Sequence, residues 1–470
     1  MHRMFHASWR CGHGVPSPFH LGASGARCFV SVVAITVERT EMLNRIVSLL
    51  ALCSWLMVAV VGCGPSAVES QPPQEDMVTD VPADPTAIRP FEITVPDSVL
   101  DDLKLRLEQT RLPDQLDGVG WDYGTELDYL ADLITYWREE FDWRAQEQQL
   151  NQFDQFKTRI DDLDIHFIHQ RSPEADAIPM IITHGWPGSI AEFTKIIGPL
   201  TDPVAHGGAA EDAFHVVAPS MPGYGFSDKP RSRGFGPEQI AEVNAALMAR
   251  LGYEKYGIQG GDWGSIVSSR HAFNHPEAAI GLHLNMLVGG PPPGGDPTEG
   301  VPPEELERSQ ARRSFYNTAE SAYSQIQGTK PQTLGYALND SPAGQAAWIV
   351  EKFRAWCDCN GDPESVFTRD EILTNITIYW VTQTATSSAR LYYESSRAPT
   401  SRPMGRIDVP TGAAIFPYEL FITPRRWAEA SFNITHWTEM PRGGHFAAME
   451  QPELFVEDLR TFFRPLRGGS

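Results

Sequence analysis

Cysteine is scarce in this sequence and positive charge is in deficit, and each shortage closes off a class of protein. Only 6 cysteines occur in 470 residues: Cys11, Cys28, Cys53, Cys63, Cys357 and Cys359. Their spacing matches neither a disulfide framework nor a four-ligand zinc site. Cys357-Asp-Cys359 offers two thiols without two further ligands, so the expected reading is a surface or core pair, with no metal. Lysine and arginine total 38 against 60 aspartates and glutamates, a formal net charge of -22. An acid surplus of this size argues against nucleic acid and anionic membrane surfaces as partners. What is there is globular composition, 41% hydrophobic and 21% charged, long enough for one large or two ordinary domains.

The front of the chain reads differently from the rest. Residues 1–41 carry no usable pattern, which is expected if translation starts at Met42. One basic residue, Arg45, precedes an apolar run from Ile46 to Val61 that resembles a secretory signal. The run closes on Val60-Val61-Gly62-Cys63, which is similar to a bacterial lipobox with Val60 where the pattern prefers leucine. Cys63 is then the expected lipidation site, with a polar, proline-containing tether behind it to about residue 87. An uncleaved anchor helix over residues 46–61 is the alternative, short for a span of ~20 apolar residues. Either way the expectation is an exported, membrane-associated protein facing the periplasm or cell exterior.

Past the tether, Asp97 or Ser98 is the expected cap of a helix with Val99, Leu103 and Leu107 on one face. A second helix carries Leu127, Leu130, Ile134, Trp137 and Phe141. Phe156–Ile160 and Asp164–His169 read as a hairpin, with His166 and His169 expected on the solvent side. Strands are expected at Ile178–Thr183, Phe214–Pro219 and Leu282–Leu287, a helix over Pro237–Leu251, and a further strand from Val409. Strand alternating with helix is the grammar of an α/β, mostly parallel, doubly wound sheet. From about Pro291 to Arg402 the text turns polar and helical, which reads as an inserted cap. The expected divisions are therefore residues 88–155 for a helical extension, 156–289 and 403–470 for the core, and 290–402 for the cap.

The chemistry centres on Gly260-Gly261-Asp262-Trp263-Gly264. This is the small-x-nucleophile-x-small spacing of a strand-to-helix elbow, with a carboxylate where esterases carry serine. An aspartate attacking an acyl carbon would give an anhydride, whereas attack on an sp3 carbon gives an ester that water can cleave. An epoxide or an alkyl halide is the fitting electrophile. The bland alternative is that Asp262 only caps the next helix. His184-Gly185-Trp186-Pro187-Gly188, at the end of the Ile178 strand, sits where such a hydrolase keeps half of its oxyanion hole. Glu419 follows the Val409 strand and His445 follows a Gly-Gly turn, giving the order nucleophile, acid, histidine. Among 14 histidines only that context singles out His445, and His184 is the rival when order is ignored.

His184-Gly-Trp-Pro-Gly188, Gly260-Gly-Asp-Trp-Gly264, Thr374-Asn-Ile-Thr-Ile-Tyr-Trp380, Phe416-Pro-Tyr-Glu419 and Gly443-Gly-His445 together make the chain from about Ile88 onward resemble the microsomal-type epoxide hydrolases. That family includes juvenile-hormone epoxide hydrolases and bacterial relatives. The resemblance implies an α/β-hydrolase fold with an N-terminal extension, and conversion of a small-molecule epoxide and water to a vicinal diol, as in detoxification. It also implies Asp262 as nucleophile, His445 as base, Glu419 as its orienting carboxylate, and the backbone amides of Trp186 and Trp263 as oxyanion hole, with neither metal nor cofactor. By position, Tyr323 and Tyr392 are implied as the cap tyrosines that protonate the epoxide oxygen, Tyr393 being a neighbour of the second. Haloalkane dehalogenase is the alternative activity, because Asp262-Trp263 fits it equally. A departing halide needs no acid, so the cap separates the two. A catalytically silent, ligand-binding lipoprotein is the alternative from outside enzymology. Oligomeric state is open.

Overall fold

The computed structural model describes residue 84, residues 86–398 and residues 405–468. The apolar run over residues 46–61 and Cys63 lie outside the described residues. Among those described, no helix is long and apolar enough to cross a membrane.

After the short strand β1 (Arg89–Pro90) come helices α1 (Asp97–Glu108), α2 (Leu127–Glu139) and α3 (Trp143–Leu150), then the hairpin β2 (Gln155–Ile160) and β3 (Leu163–Gln170). The core continues as β4 (Ile178–Thr183), α4 (Thr194–Thr201), β5 (Phe214–Pro219), α5 (Pro237–Arg250), β6 (Tyr256–Gly260), α6 (Asp262–Asn274) and β7 (Ala279–Leu284). Six α-helices follow before the sheet resumes: α7 (Pro303–Phe315), α8 (Ala322–Thr329), α9 (Pro331–Leu338), α10 (Pro342–Trp356), α11 (Arg369–Val381) and α12 (Ala385–Ser395). The chain ends with β8 (Ile407–Ile415), α13 (Arg425–Ser431), β9 (Phe432–Glu439), α14 (Ala447–Glu450) and α15 (Pro452–Phe463).

One nine-stranded sheet runs in the order β1-β2-β3-β5-β4-β6-β7-β8-β9. The first three strands are antiparallel, β3 pairing antiparallel with β5, and everything from β5 to β9 is parallel. Strands β5 and β6 therefore flank β4 on opposite sides, and the direction in which the sheet grows reverses there. In such open sheets ligands bind outside the carboxyl ends of the strands at that reversal. The central strands β4, β5 and β6 are covered on both faces, which is why Ile181, Val217 and Ile258 are all buried and why these strands read as continuous apolar runs.

Helices α1 and α2 bury Leu103, Leu107, Leu130, Ile134 and Trp137 in the same apolar cluster as Ile349 and Phe353 of α10 and Ile372 and Ile376 of α11. The N-terminal extension thus holds the cap helices.

Several local expectations need correcting. Pro96, not Asp97 or Ser98, is the cap of α1 and makes no side-chain bond; Asp97 instead pairs with Arg144. Helix α3 and strand β9 are absent from the periodicity reading, and the strand expected at Leu282–Leu287 runs earlier, as β7. His166 is fully buried rather than solvent-facing, because strand β3 is covered on both sides; its ring nitrogens lie 2.9 Å from Ser220 Oγ and 2.9 Å from Gln155 Oε1. Cys357 and Cys359 are buried and joined as a disulfide, although the spacing matched no framework. Among the described residues, no group of histidine, cysteine and carboxylate side chains has the arrangement to hold a metal ion.

Candidate active site

Asp262 is the first residue of α6, directly after β6, and adopts φ 49°. A non-glycine residue in the left-handed region is strained, and the turn survives because the chain around it is made of glycine. A Cβ at Gly264 would come within 1.9 Å of Thr183 O, so α6 can lie this close to β4 only with glycine there. The elbow places Asp262 at the positive end of the α6 dipole, beside first-turn amides, Trp263 N–H among them, that have no carbonyl partner within the helix.

The loop after β4 reaches the same carboxylate from the other side. Trp186 N–H donates to Asp262 Oδ1 at 2.7 Å. A Cβ on Gly185 would lie 2.1 Å from that oxygen, so this approach too depends on glycine. The loop is pinned from the cap: Asn375 Nδ2 donates to Pro187 O at 2.7 Å, and Tyr379 Oη to Gly188 O at 2.8 Å. Two residues of the Thr374–Trp380 motif therefore hold the loop after β4. His184 serves it as well, with Nδ1 3.0 Å from Gly185 O and Nε2 accepting from Met221 N–H at 3.2 Å. Both ring nitrogens are engaged and burial lowers its pKa to about 4, so His184 supports the loop as a neutral ring.

His445 follows β9 and faces the free oxygen of the aspartate, with Nε2 3.4 Å from Asp262 Oδ2. Its Nδ1 lies 2.7 Å from Glu419 Oε1, which also accepts from Leu420 N–H at 2.5 Å. Burial opposes charge on this imidazole, but the carboxylates of Glu419 and Asp262 outweigh it and hold its pKa well above the ordinary histidine range. Three sequence-predicted residues from the ends of three strands thus meet in one chain, Glu419 to His445 to Asp262.

From the cap come Tyr323 of α8 and Tyr392 of α12, both buried, with ring centroids 5.7 Å apart. Tyr323 stacks on Trp186 at 4.9 Å, and Tyr392 stands edge-on to Trp263 at 4.8 Å. The two tyrosines therefore lie against the two residues whose amides flank Asp262. Burial pushes both phenols well above their usual range, and the charge of Asp262 adds to the shift. Tyr393 is only half-buried and lies under Arg397, 3.6 Å from ring centroid to guanidinium carbon.

Two carboxylates escaped the sequence reading. Glu192, after the oxyanion loop, borders a cavity of about 20 Å3 also lined by Asp262, His445, Gln259 and Asn285. Burial raises its pKa to about 8. Gln259 Oε1 is buried there without a partner, and the space is enough for one water. Glu450 accepts from the backbone of Asp358, Gly444 and Phe446 at 2.8–2.9 Å, tying down the turn that carries His445. Neither sits in a motif: each is a single carboxylate among apolar neighbours, Glu192 between Ala191 and Phe193 and Glu450 after Met449.

The model for the α/β-hydrolase fold matches residues 178–322, and that for the epoxide hydrolase N terminus matches residues 88–193. A relative from Stigmatella aurantiaca is 50% identical over 81% of this chain and 86% of its own. Epoxide hydrolase 1 of Sus scrofa is 40% identical over 81% of this chain and 89% of its own. The chain belongs to the epoxide hydrolase family. The crystal structure of juvenile hormone epoxide hydrolase from the silkworm Bombyx mori superposes with a TM-score of 0.75 at 33% identity, covering 82% of this chain and 95% of that one. This member of the family is an epoxide hydrolase on an α/β-hydrolase fold, with Asp262, Glu419 and His445 meeting beyond the carboxyl ends of β6, β8 and β9.

Proposed function

We propose that this epoxide hydrolase works in two steps through a covalent ester on Asp262. Oδ2 attacks an epoxide carbon in line with the breaking C–O bond, whose electron pair goes to the ring oxygen. Tyr323 and Tyr392 give that oxygen a hydrogen bond and a proton, so a free alkoxide never has to form. In the second step His445 Nε2 takes a proton from water, and the hydroxide formed attacks Cγ of the ester. The negative charge then develops on Oδ1, against the amides of Trp186 and Trp263; its collapse breaks the Cγ–Oδ2 bond, the diol leaves with Oδ2 and takes its proton from His445 Nε2, and the carboxylic acid left on Asp262 returns its proton to the phenolate. Glu419 keeps the Nδ1 proton in place so that Nε2 carries the lone pair. The cavity bordered by Glu192 is next to both Asp262 and His445, the position from which such a water would come.

The observation that carries this reading is the division of labour on one carboxylate: Oδ1 is committed to an amide, while Oδ2 faces the imidazole. Paired phenols above it favour an oxygen leaving group, because a halide needs no proton. The test is a His445→Gln variant given an excess of styrene oxide. Intact mass should rise by one substrate equivalent, with the adduct on the peptide containing Asp262. A diol-forming wild type whose variant never acquires an adduct would sink the ester route.

We also propose export and attachment to a membrane through lipid on Cys63. The lipobox-like text supports this, and the Cys357–Cys359 bridge suits an oxidising compartment.

A further inference from the structure

Behind Tyr323, on the side of the cap, is a buried ion pair that the two-step chemistry does not use. Lys352 of α10 and Glu320 are both buried, with Nζ 3.1 Å from Glu320 Oε2. The same Glu320 oxygen accepts from Trp356 Nε1 at 2.8 Å. Glu351, a quarter exposed at its side chain, is the second carboxylate on the ammonium, at 2.6 Å. Removing a lysine and a glutamate from water costs more than their attraction commonly returns, so a buried pair is weak grounds for stability and calls for another role.

What the ammonium faces supplies one. Lys352 Nζ lies over the ring of Tyr323, 4.9 Å from its centroid, and 5.6 Å from that of Trp356. Tyr323 is in turn stacked on Trp186 with an interplanar angle of 11°. Glu320 reaches this place at the end of a π-helical turn, Tyr316–Glu320, immediately before α8. Such wide turns are rare and occur often at functional sites. Three unusual features, a π turn, a buried lysine and a cation on a phenol ring, converge on one tyrosine.

We propose that Lys352, tethered by Glu320, is a positioning residue for Tyr323, its ammonium stabilising the negative charge the phenol takes on as it protonates the opening epoxide. In that step the proton moves from Tyr323 Oη to the epoxide oxygen, the C–O electron pair stays on that oxygen, and the charge lost by Asp262 on becoming an ester reappears on the phenol. The ring face of a tyrosine attracts cations, and more strongly once it is a phenolate. The neighbours named above work the other way: Tyr316 and Asp262 both raise the cost of charge on Tyr323, and Glu351 draws the ammonium outward. The inference rests on Tyr323 acting as the acid.

The experiment is rapid-mixing single turnover with styrene oxide, resolving ester formation from ester hydrolysis. Lys352→Met should slow ester formation about thirtyfold, the size of a desolvated cation–π contact, and leave hydrolysis of the ester within about twofold. Lys352→Arg should restore most of the loss, and Lys352→Gln, which can still donate to Glu320, should not. In a Tyr323→Phe background Lys352→Met should cost nothing further. Should Lys352→Met fail to fold, Lys352→Gln carries the test. Equal slowing of both steps, or a Lys352 penalty that persists without the phenol, would overturn the inference. Ester formation at the wild-type rate in Tyr323→Phe would instead overturn the acid role beneath it.

Discussion

In the proposed mechanism His445 has to be a base in the second step, yet in the resting protein two carboxylates favour its protonated form. The proposed ester resolves this, because alkylation removes the charge of Asp262 at the moment a neutral imidazole is needed. Loss of an opposite charge this near lowers a histidine pKa by about 1–3 pH units. In an Asp262→Asn variant, NMR titration of His445 should therefore show a pKa lower than in the wild type; an unchanged value would mean that the pair at 3.4 Å does not interact. Glu192 gives a second titration with a definite sign. Burial holds its carboxyl neutral up to about pH 8, and above that a new negative charge appears beside His445 and the ester. Hydroxide attack on Cγ then becomes harder. Ester hydrolysis should fall on the alkaline side with a midpoint near pH 8, and that limb should vanish in Glu192→Gln, as read by pre-steady-state rates across pH.

The turn from Gly443 to Glu450 is short of secondary structure and long on hydrogen bonds. Besides the three amides on Glu450, Gly443 N–H donates to Asp358 Oδ2 at 2.8 Å and His445 N–H to Trp356 O at 3.0 Å, so the end of α10 and the Cys357–Cys359 bridge clamp the histidine. Glu450→Ala would leave three buried donors without a partner, each costing about 1–3 kcal/mol, and the turn should rearrange instead. Since Asp262 and the tyrosines stand on other elements, ester formation should survive while hydrolysis slows, so the variant should accumulate the adduct much as His445→Gln does. Loss of both steps together, measured by mass spectrometry and single turnover, would place Glu450 in the stability of the whole cap. This contrast between elements also marks what was legible in the text. The elbow, the oxyanion loop and strands β4, β5 and β6 were readable, because buried parallel strands and glycine turns leave local signatures. Helix α3 was not: its Arg-Ala-Gln-Glu-Gln-Gln run has little apolar period, and Asp142, its cap, stands among other acids. Strand β9 was missed because its residues alternate only weakly, and Glu192, Glu450 and Lys352 because their roles come from contacts distant in the sequence.

The sheet, cap and triad all lie within elements that begin at Arg89 and end at Leu466, while the segment proposed to reach a membrane is entirely before them. Catalysis and anchoring should therefore be separable at the tether. Thr86 O accepts from Thr158 Oγ1 at 2.9 Å, and a cut just ahead of residue 84 keeps that contact. A chain beginning at Asp84 keeps every residue of the described hydrophobic clusters and should fold, and its kcat/KM for styrene oxide should match the full chain within about twofold. Its acid surplus gives no affinity for anionic lipid surfaces, so it should stay in the soluble fraction after lysis, whereas the full chain should sediment with membranes and take up labelled palmitate. Cys63→Ser separates the two forms of attachment. Loss of both label and sedimentation identifies a lipid anchor, since a single polar residue in place of the thiol leaves the run over residues 46–61 as apolar as before. Retained sedimentation without label identifies that run as an uncleaved anchor. A full chain that remains soluble would refute membrane attachment and leave the hydrolase itself untouched.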